Sequence, residues 1–444
     1  MIRRVTRRNF LRTSAAAGAL RCGYFAHPVA AAPSPSPNER LNLAIVGAGN
    51  KGWHNVQQLK SENMVALCDV DANYLARAAE VYPQARQYRD YRKMLDKEQS
   101  HIDAVVVSTA DHTHACAASA ALDLGKHVYC EKPLTHTVRE ARVVAELAKK
   151  KNRATQMGTQ IHASSNYRRV VEIIRSGAIG TVREVYTWCN KSWSDGRFKP
   201  WDKPVPANLD WDLWLGPAPQ RPYAPDIHPA NWRRFWDYGS GTFGDMACHV
   251  MDLPFWALDL RHPDTVVCEG PEVHPVGTPQ WVKATYTFPA RGDRPAVTLH
   301  WSDGKAHFDL VRSLNDHHGR PMSSSWGLGV LFVGERGMLA ADYGQYQLFP
   351  KERFADFKPA EPTIPESIGH WKEWVQACKT GSPTLCNFDY SGALTETVLL
   401  GTVAYRTGQK LQWDPQGLRA TNCPAADAFI TKDYRQGFEV VGIG

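Results

Sequence analysis

The chain has 444 residues, of which 43% are hydrophobic and 22% charged, so it is long enough to bury the cores of two domains. Its formal net charge is +7, but residues 1–32 hold six arginines and no acid. The rest of the chain is therefore near neutrality, which argues against a basic nucleic-acid-binding surface. The ten cysteines are scattered without a Cys-x-x-Cys pair, so no metal site is expected.

Residues 1–32 have the pattern of a twin-arginine export leader. The basic segment Thr-Arg-Arg-Asn-Phe-Leu-Arg at 6–12 precedes a short Ala-rich stretch at 13–20, and small residues at 29–32 offer a cleavage site. A basic, disordered N-terminus is the alternative. We expect a signal peptide at 1–32, a linker at 33–40, recognition by the twin-arginine machinery and a periplasmic or otherwise exported protein. No stretch approaches the about 18 apolar residues of a membrane span.

Residues 41–160 alternate between strand and helix patterns. The run at 102–108 is continuously apolar and β-branched, which is typical of a strand buried on both faces. The alternation predicts an α/β domain with a doubly wound parallel sheet. Strands are predicted at 41–46, 64–69, 102–108 and 127–130, and helices from the turn at 47–52 to about 60, at 115–124 and at 138–150.

A glycine-rich turn, Gly-Ala-Gly-Asn-Lys-Gly at 47–52, joins the first predicted strand to the first helix. In such a turn Gly47 permits the tight bend, Gly49 lets the backbone approach a pyrophosphate, and Gly52 lets the helix pack on the strand. Asp69, at the end of the second strand, would accept hydrogen bonds from ribose hydroxyls and repel a 2′-phosphate, which favours NAD over NADP. A βαβ unit without a ligand is the alternative.

The sequence Glu131-Lys132-Pro133 follows the predicted strand at 127–130, at the sheet edge where open α/β sheets bind ligands. Lys132 is suited to proton transfer or to holding a substrate oxygen, and Glu131 to holding the nicotinamide ribose. From these three residues alone, a surface turn is the stronger interpretation.

These motifs, together with Thr-Ala-Asp-His-Thr-His at 109–114 and the segment Gly-Ser-Gly-Thr-Phe-Gly-Asp-Met-Ala-Cys-His at 239–249, resemble the Gfo/Idh/MocA oxidoreductase family. The resemblance covers nearly all of 40–440. It implies a Rossmann domain, placed here at 41–160, followed at 161–444 by a substrate-binding and oligomerisation α/β domain with a large, mostly antiparallel open sheet.

The resemblance also implies two sets of site residues. His249 would exchange a proton with the substrate hydroxyl, Lys132 would stabilise the developing oxyanion, and Asp245 would orient the substrate or the histidine. The spacing of Asp245 and His249 places them on one face of an expected helix; taken alone it favours a surface hydrogen-bonded pair. The implied cofactor contacts are Gly47, Gly49, Asn50, Lys51, Gly52, Asp69, Thr109, Asp111, His114 and Glu131.

Several features depart from the family pattern or stay open. Ala110 replaces the usual proline before Asp111. Gln160, after a strand at the domain junction, is a candidate for the nicotinamide edge, with an ordinary loop residue as the alternative. The Trp/Pro/Arg-rich stretch 192–238 is expected to roof the substrate cleft, with oligomer contacts as the alternative. Three isolated histidines are expected to be structural: His112, His162 and His370.

The second half alternates in a strand-like manner and has few helices. A sheet with one exposed face usually needs a partner, so a homo-oligomer is expected. Strands are predicted at 182–188, 283–288, 296–301, 329–333 and 338–341, with hairpin turns at 290–292 and 334–337 and helices at 368–379 and 394–406.

We therefore expect an exported NAD-dependent oxidoreductase that acts on a secondary alcohol of a sugar, polyol or sugar derivative. Because free cofactor is scarce outside the cytoplasm, we expect the nucleotide to stay bound. An NAD-dependent glycosidase, using transient oxidation, elimination and re-reduction, is the main alternative. A non-catalytic sugar or nucleotide sensor is a third, against which Lys132, Asp245 and His249 argue.

Overall fold

The computed structural model describes residues 39–199 and 201–443, and all of these except Glu39 lie in one unit, Arg40–Gly444. The expected signal peptide at 1–32 and residues 33–38 of the expected linker lie outside the described residues.

The first half of this unit contains a six-stranded, all-parallel sheet with strand order β3-β2-β1-β4-β5-β6. This order reverses direction at β1 and β4, where the carboxyl ends of neighbouring strands open a crevice. The predicted doubly wound sheet is confirmed. Its strands are β1 Asn42–Val46, β2 Asn63–Cys68, β3 Arg86–Tyr88, β4 Ala104–Val107, β5 His127–Cys130 and β6 Thr155–Met157.

Five helices connect these strands. The fourth is buried along most of its length, and five of its 13 residues are alanines, whose small side chains let it pack closely between the sheet and its neighbours. The helices are α1 Asn50–Gln58, α2 Ala72–Val81, α3 Tyr91–Glu98, α4 Asp111–Asp123 and α5 Val138–Lys151.

The second half is built on a nine-stranded sheet of order β13-β12-β11-β7-β10-β9-β8-β14-β15. All pairs are antiparallel except β7 with β10, so the expected mostly antiparallel sheet is confirmed. Its strands are β7 Val182–Cys189, β8 Thr265–Glu269, β9 Lys283–Phe288, β10 Val297–Asp303, β11 Leu328–Gly334, β12 Gly337–Ala341, β13 Tyr346–Phe349, β14 Leu411–Asp414 and β15 Arg419–Ala420.

The remaining helices are α6 Ser165–Arg175, α7 Trp211–Leu215, α8 Gly241–Val250, α9 Asp252–Leu258, α10 Asp309–Ser313, α11 Met322–Ser325, α12 His370–Thr380, α13 Phe388–Thr407 and α14 Asp427–Ile430. The longest, α13, packs on both α5 and α8. Glycines permit these contacts: a Cβ at Gly392 would lie 2.8 Å from Ala145, and one at Gly401 2.3 Å from Phe243. Helix α13 therefore joins the two halves of the unit.

All five strands predicted in the second half are present, within two residues at each end. The two predicted long helices are also present, although α13 begins six residues earlier than expected. The short strands β3, β8, β13, β14 and β15 were not predicted, because runs of two to five residues carry little periodicity. None of the described helices combines the length and apolar character needed to span a membrane.

Candidate active site

A cavity of about 780 Å³ opens at the carboxyl ends of the parallel strands. Its floor is formed by residues that follow β1, β2, β4 and β5, and its far wall by α8 and by a segment that we call the roof segment, residues 192–199 and 201–238. This position agrees with the rule that open α/β sheets bind ligands where the strand order reverses.

The glycine turn lies on the floor in a conformation that larger residues could not adopt. Gly47 has φ +88°, and a Cβ there would approach the Ser108 carbonyl oxygen to 2.6 Å. A Cβ at Gly52 would lie 1.9 Å from the Gly47 carbonyl oxygen, so Gly52 permits the contact between α1 and the turn and does not itself line the cavity. Gly49, Asn50 and Lys51 do line it, at a helix N-terminus suited to phosphates.

Asp69 holds this turn in shape from the end of β2. Its Oδ2 accepts hydrogen bonds from the backbone N–H groups of Ala48 (2.7 Å) and Gly49 (3.1 Å), and Oδ1 accepts from Asp71 N–H (2.9 Å). Burial raises the pKa of Asp69 to about 6, although the backbone hydrogen bonds oppose this. The carboxylate lines the cavity beside the loop that would carry the pyrophosphate.

Glu131 carries an acceptor that the protein leaves free. Its Oε1 accepts from Asn55 Nδ2 (2.9 Å) and Gln160 Nε2 (3.3 Å) and lies 3.6 Å from Lys51 Nζ. Its Oε2 is buried without a hydrogen-bond partner among the described residues. Because an orphaned buried carboxylate oxygen is costly, this atom fits a ligand hydroxyl. Together with the glycine turn, it shows that the cavity suits a dinucleotide.

The Lys132 ammonium joins the first half of the unit to α8. Its Nζ donates to Asp245 Oδ1 over 2.5 Å and to the Asp245 carbonyl oxygen over 2.9 Å. Burial alone would raise the pKa of Asp245, but Lys132, Arg233 and Lys191 outweigh it and hold that pKa well below its ordinary value. Asp245 is therefore a fixed anion at the substrate end of the cavity.

His249 lies one helical turn after Asp245 on α8 and also lines the cavity. Burial and the nearby Lys132 charge lower the pKa of His249 well below 6.5, so its imidazole is neutral at pH 7. Among the described residues no side-chain or backbone group hydrogen-bonds its ring. The Asp245 carboxylate accepts hydrogen bonds from Lys132, Lys191 and Trp193, which leaves the His249 ring available to a substrate.

Three residues that the family resemblance implied follow β4. Thr109 lines the cavity, whereas Asp111 and His114 are buried and absent from its wall. The His114 ring nitrogens lie 2.8 Å from the Pro133 carbonyl oxygen and 3.1 Å from that of Thr109. His114 therefore fixes the two loops that carry Thr109 and Lys132.

Sequence reasoning did not single out two cations of this site. Lys191, just after β7, and Arg233, in the roof segment, both line the cavity near Asp245. Lys191 was detectable in principle, since it is a charged residue directly after a strand end. The other roof residues that line the cavity are Trp193, Leu213, Trp214, His228, Pro229, Ala230 and Trp232, which agrees with the expected roof.

None of the three isolated histidines lines the cavity. His112 Nε2 lies 3.0 Å from the Trp214 carbonyl oxygen, and His370 Nε2 lies 3.3 Å from Tyr129 Oη. His162 Nδ1 lies 2.9 Å from Asp252 Oδ2, and its ring stacks on Trp256 at 4.0 Å. Each is thus held in the packed interior.

Two models of one family match the chain. The model described as the NAD-binding Rossmann fold of the Gfo/Idh/MocA oxidoreductases matches residues 41–159, and the model described as their C-terminal alpha/beta domain matches residues 167–303.

Curated relatives match over part of their length. Inositol 2-dehydrogenase of Salmonella typhimurium is 32% identical over 146 residues, which cover 32% of this chain and 43% of the relative. Levoglucosan dehydrogenase of Pseudarthrobacter phenanthrenivorans is 28% identical over 48% of this chain and 50% of its own. An alpha-N-acetylgalactosaminidase of Shewanella oneidensis is 26% identical over 40% and 44%. The chain thus spans about half the length of these relatives or less.

Solved structures share the fold. The WlbA dehydrogenase of Bordetella pertussis, solved with NADH and UDP-GlcNAcA, superposes with a TM-score of 0.58 at 17% identity, over 84% of this chain and 99% of that one. At this identity the likeness concerns the fold.

Proposed function

Because the chain belongs to the Gfo/Idh/MocA oxidoreductase family, we propose that it is an NAD-dependent oxidoreductase acting on a secondary alcohol of a sugar, polyol or sugar derivative. The observation that carries this proposal is that two sets of residues line the same cavity. The glycine turn, Asp69 and Glu131 lie on the floor, and Lys132, Asp245 and His249 lie at one end.

Different residues on the floor of the cavity would bind different parts of the cofactor. Gly47, Gly49 and Asn50 would face the pyrophosphate, Asp69 the adenosine ribose, and the free Oε2 of Glu131 the nicotinamide ribose. When bound, NAD supplies the hydride acceptor. Gln160, which donates to Glu131, lines the same end of the cavity.

The protein's own contribution is proton transfer and charge. The neutral imidazole of His249 would accept the proton of the substrate hydroxyl, since none of the described residues hydrogen-bonds its ring nitrogens. The Lys132 ammonium would stabilise the oxyanion that develops as the C–H bond breaks. Asp245 fixes the Lys132 ammonium in place through two hydrogen bonds.

The roof segment supports retention of the cofactor. It has its own hydrophobic cluster, in which Trp211 stacks on Trp214 with ring centroids 4.7 Å apart. Backbone hydrogen bonds tie it to the end of β2: Asp210 N–H donates to the Val70 carbonyl oxygen, and Ala72 N–H to that of Asn208. A bound dinucleotide would lie beneath this segment, which would slow its release.

An NAD-dependent glycosidase is the second candidate, and the alpha-N-acetylgalactosaminidase among the relatives favours it. In this cycle, oxidation of a ring hydroxyl acidifies the neighbouring C–H. A base removes that proton, the aglycone leaves, water adds, and the hydride returns to the carbonyl carbon. The outcome is hydrolysis without net oxidation.

Turnover of a panel of sugars and nitrophenyl glycosides tests both candidates. The absorbance of NADH and the release of nitrophenol are followed with and without added NAD. Accumulating NADH or an oxidised sugar supports the oxidoreductase, and nitrophenol without NADH selects the glycosidase. If neither signal appears and wild type and His249→Asn behave alike, the result favours a non-catalytic sensor.

We also propose export and self-association. The twin-arginine pattern at 6–12 supports export, which fractionation of cells that produce the full chain would test. In β9, Ala284, Tyr286 and Phe288 are buried and the residues between them are partly exposed, which supports a sheet face that packs against a second copy. Light scattering of the purified protein would report the oligomeric state.

A further inference from the structure

The substrate end of the cavity carries more positive than negative charge. Three cations surround Asp245: Lys132 Nζ lies 2.5 Å from Oδ1, Lys191 Nζ 2.9 Å from Oδ2, and Arg233 Nε 3.2 Å from Oδ1. A second carboxylate, Asp111, lies 3.6 Å from Arg233. Lys51 and Glu131 line the same cavity and add one charge of each sign, so the described groups at this end number four cations and three carboxylates.

The Arg233 guanidinium is the least satisfied of these cations. It lies near two carboxylates, but among the described residues none of its N–H groups has a hydrogen bond of good geometry. Its buried Nε lies 3.2 Å from Asp245 Oδ1 but makes no hydrogen bond to it. Its side chain is 20% exposed and lines the cavity. The guanidinium lies 4.0 Å above the Trp232 ring, which orients its plane. A planar guanidinium with unused donors matches a carboxylate in a bidentate manner.

Lys191 offers a second positive group on the same side of Asp245. Its side chain is 46% exposed, and its ammonium donates to Asp245 Oδ2 over 2.9 Å and weakly to Met246 Sδ over 3.9 Å, which leaves a third donor for a ligand. The Trp193 ring lies 5.0 Å from its Nζ. The indole N–H of Trp193 donates to the same Oδ2 that Lys191 binds, so the three side chains form one rigid group.

We propose that the substrate is an acidic sugar, such as a uronic acid, whose carboxylate is bound by Arg233 and Lys191. This inference rests on the proposed function, and it names the substrate class for that site. One carboxylate neutralises the single excess charge, whereas a phosphate dianion would exceed it. A neutral sugar would leave this positive charge uncompensated beside the cationic ring of oxidised nicotinamide, which costs electrostatic free energy.

The test compares matched pairs of probes. Methyl glucuronoside with methyl glucoside, and methyl galacturonoside with methyl galactoside, differ only in the carboxylate. Binding to the purified, nucleotide-loaded protein is measured by calorimetry, and reduction of the nucleotide by absorbance. We expect at least one acidic member to bind about 10-fold or more tightly than its neutral partner, with a preference that weakens as salt is added.

Two variants and one control localise the effect. Lys191→Gln, on a half-exposed side chain, should reduce the acidic preference about 10-fold and change binding of neutral sugars less than about 3-fold. Arg233→Lys keeps the positive charge but removes the planar guanidinium that can donate two parallel hydrogen bonds, so it should reduce the preference for acidic sugars in part. Arg183→Gln removes a surface charge outside the cavity wall and should leave the preference unchanged.

The inference is overturned if every neutral sugar binds as tightly as its acidic partner or more tightly. It is also overturned if Lys191→Gln weakens the binding of acidic and neutral sugars by the same factor. The proposed function fails by a different result, in which sugars bind but none reduces the nucleotide or releases an aglycone.

Discussion

Lys132 Nζ donates to both the side chain and the backbone of Asp245, over 2.5 Å to Oδ1 and 2.9 Å to the carbonyl oxygen. Lys132 follows β5 of the parallel sheet, and Asp245 lies on α8 of the second half. The two hydrogen bonds therefore fix the position of one half of the cavity against the other, and they place a cation beside His249.

Replacement of Lys132 by Met should lower the rate of hydride transfer by about 100-fold or more, because the developing oxyanion loses its cation. Rapid-mixing measurement of bound-nucleotide reduction checks this. Thermal unfolding of the same variant serves as the control for folding. A rate within about 3-fold of wild type, in a folded variant, would remove Lys132 from the chemistry.

The pH dependence of sugar oxidation should report the low pKa of His249. Burial and the Lys132 charge lower that pKa, so the imidazole stays neutral, and competent as a base, to below pH 6.5. Loss of activity with falling pH is therefore expected only below 6.5. In Lys132→Met the pKa of His249 should rise, which moves this loss to higher pH. Profiles of kcat/KM for both proteins test the shift, and an unshifted profile would contradict it.

Replacement of Asp69 by Ser should reduce the preference for NAD over NADP by about 10-fold or more, because the carboxylate that repels a 2′-phosphate is gone. Serine can still accept one of the two hydrogen bonds from Ala48 and Gly49. Fluorescence titration of both reduced nucleotides measures the ratio. An unchanged ratio would place the selectivity elsewhere.

Gly52→Ala should destabilise the unit by about 2 kcal/mol or more, since its Cβ would lie 1.9 Å from the Gly47 carbonyl oxygen. The variant should also lose bound nucleotide, because the turn must open. Gly327→Ala is the matched control: nothing lies within 4 Å of its Cβ, and a change within about 0.5 kcal/mol is expected. Denaturant unfolding would contradict the packing argument if both variants behaved alike.

The buried pair His162–Asp252 should make stability depend on pH. Burial alone would lower the pKa of His162, but the Asp252 charge outweighs it and raises the pKa to about 10. A histidine whose folded-state pKa is raised contributes its full stabilisation below about pH 6.5 and loses it as pH rises toward 10. Melting temperature should therefore fall over that range in wild type and less in His162→Gln. An equal fall of the melting temperature with pH in wild type and His162→Gln would contradict this.

The first half was largely predictable because its signals are local. A continuous apolar run predicts β4, and the spacing of Gly47, Gly49 and Gly52 predicts the turn, so the position of the cavity at the strand ends could be predicted from the strand order. The cations around Asp245 were not predictable in the same way. Arg233 comes from the roof segment and Lys191 from the end of β7, and only tertiary packing brings them within 3.2 Å and 2.9 Å of one carboxylate.

Short strands were not predicted from the sequence for a related reason. Strand β3 contains three residues, too few for alternation to stand out. The buried positions of Asp111 and His114 also depend on packing, since both lie on α4, and the sequence alone does not show which side of that helix faces the cavity.

Transfer of a substrate hydride to the bound nucleotide tests the central claim most directly. The nucleotide-loaded protein is mixed with sugars deuterated at their ring carbons, then denatured, and the released nucleotide is analysed by mass spectrometry. We expect deuterium in the nucleotide from wild type, and its absence or slow appearance with His249→Asn. An oxidised sugar that accumulates while the nucleotide stays unlabelled would contradict it.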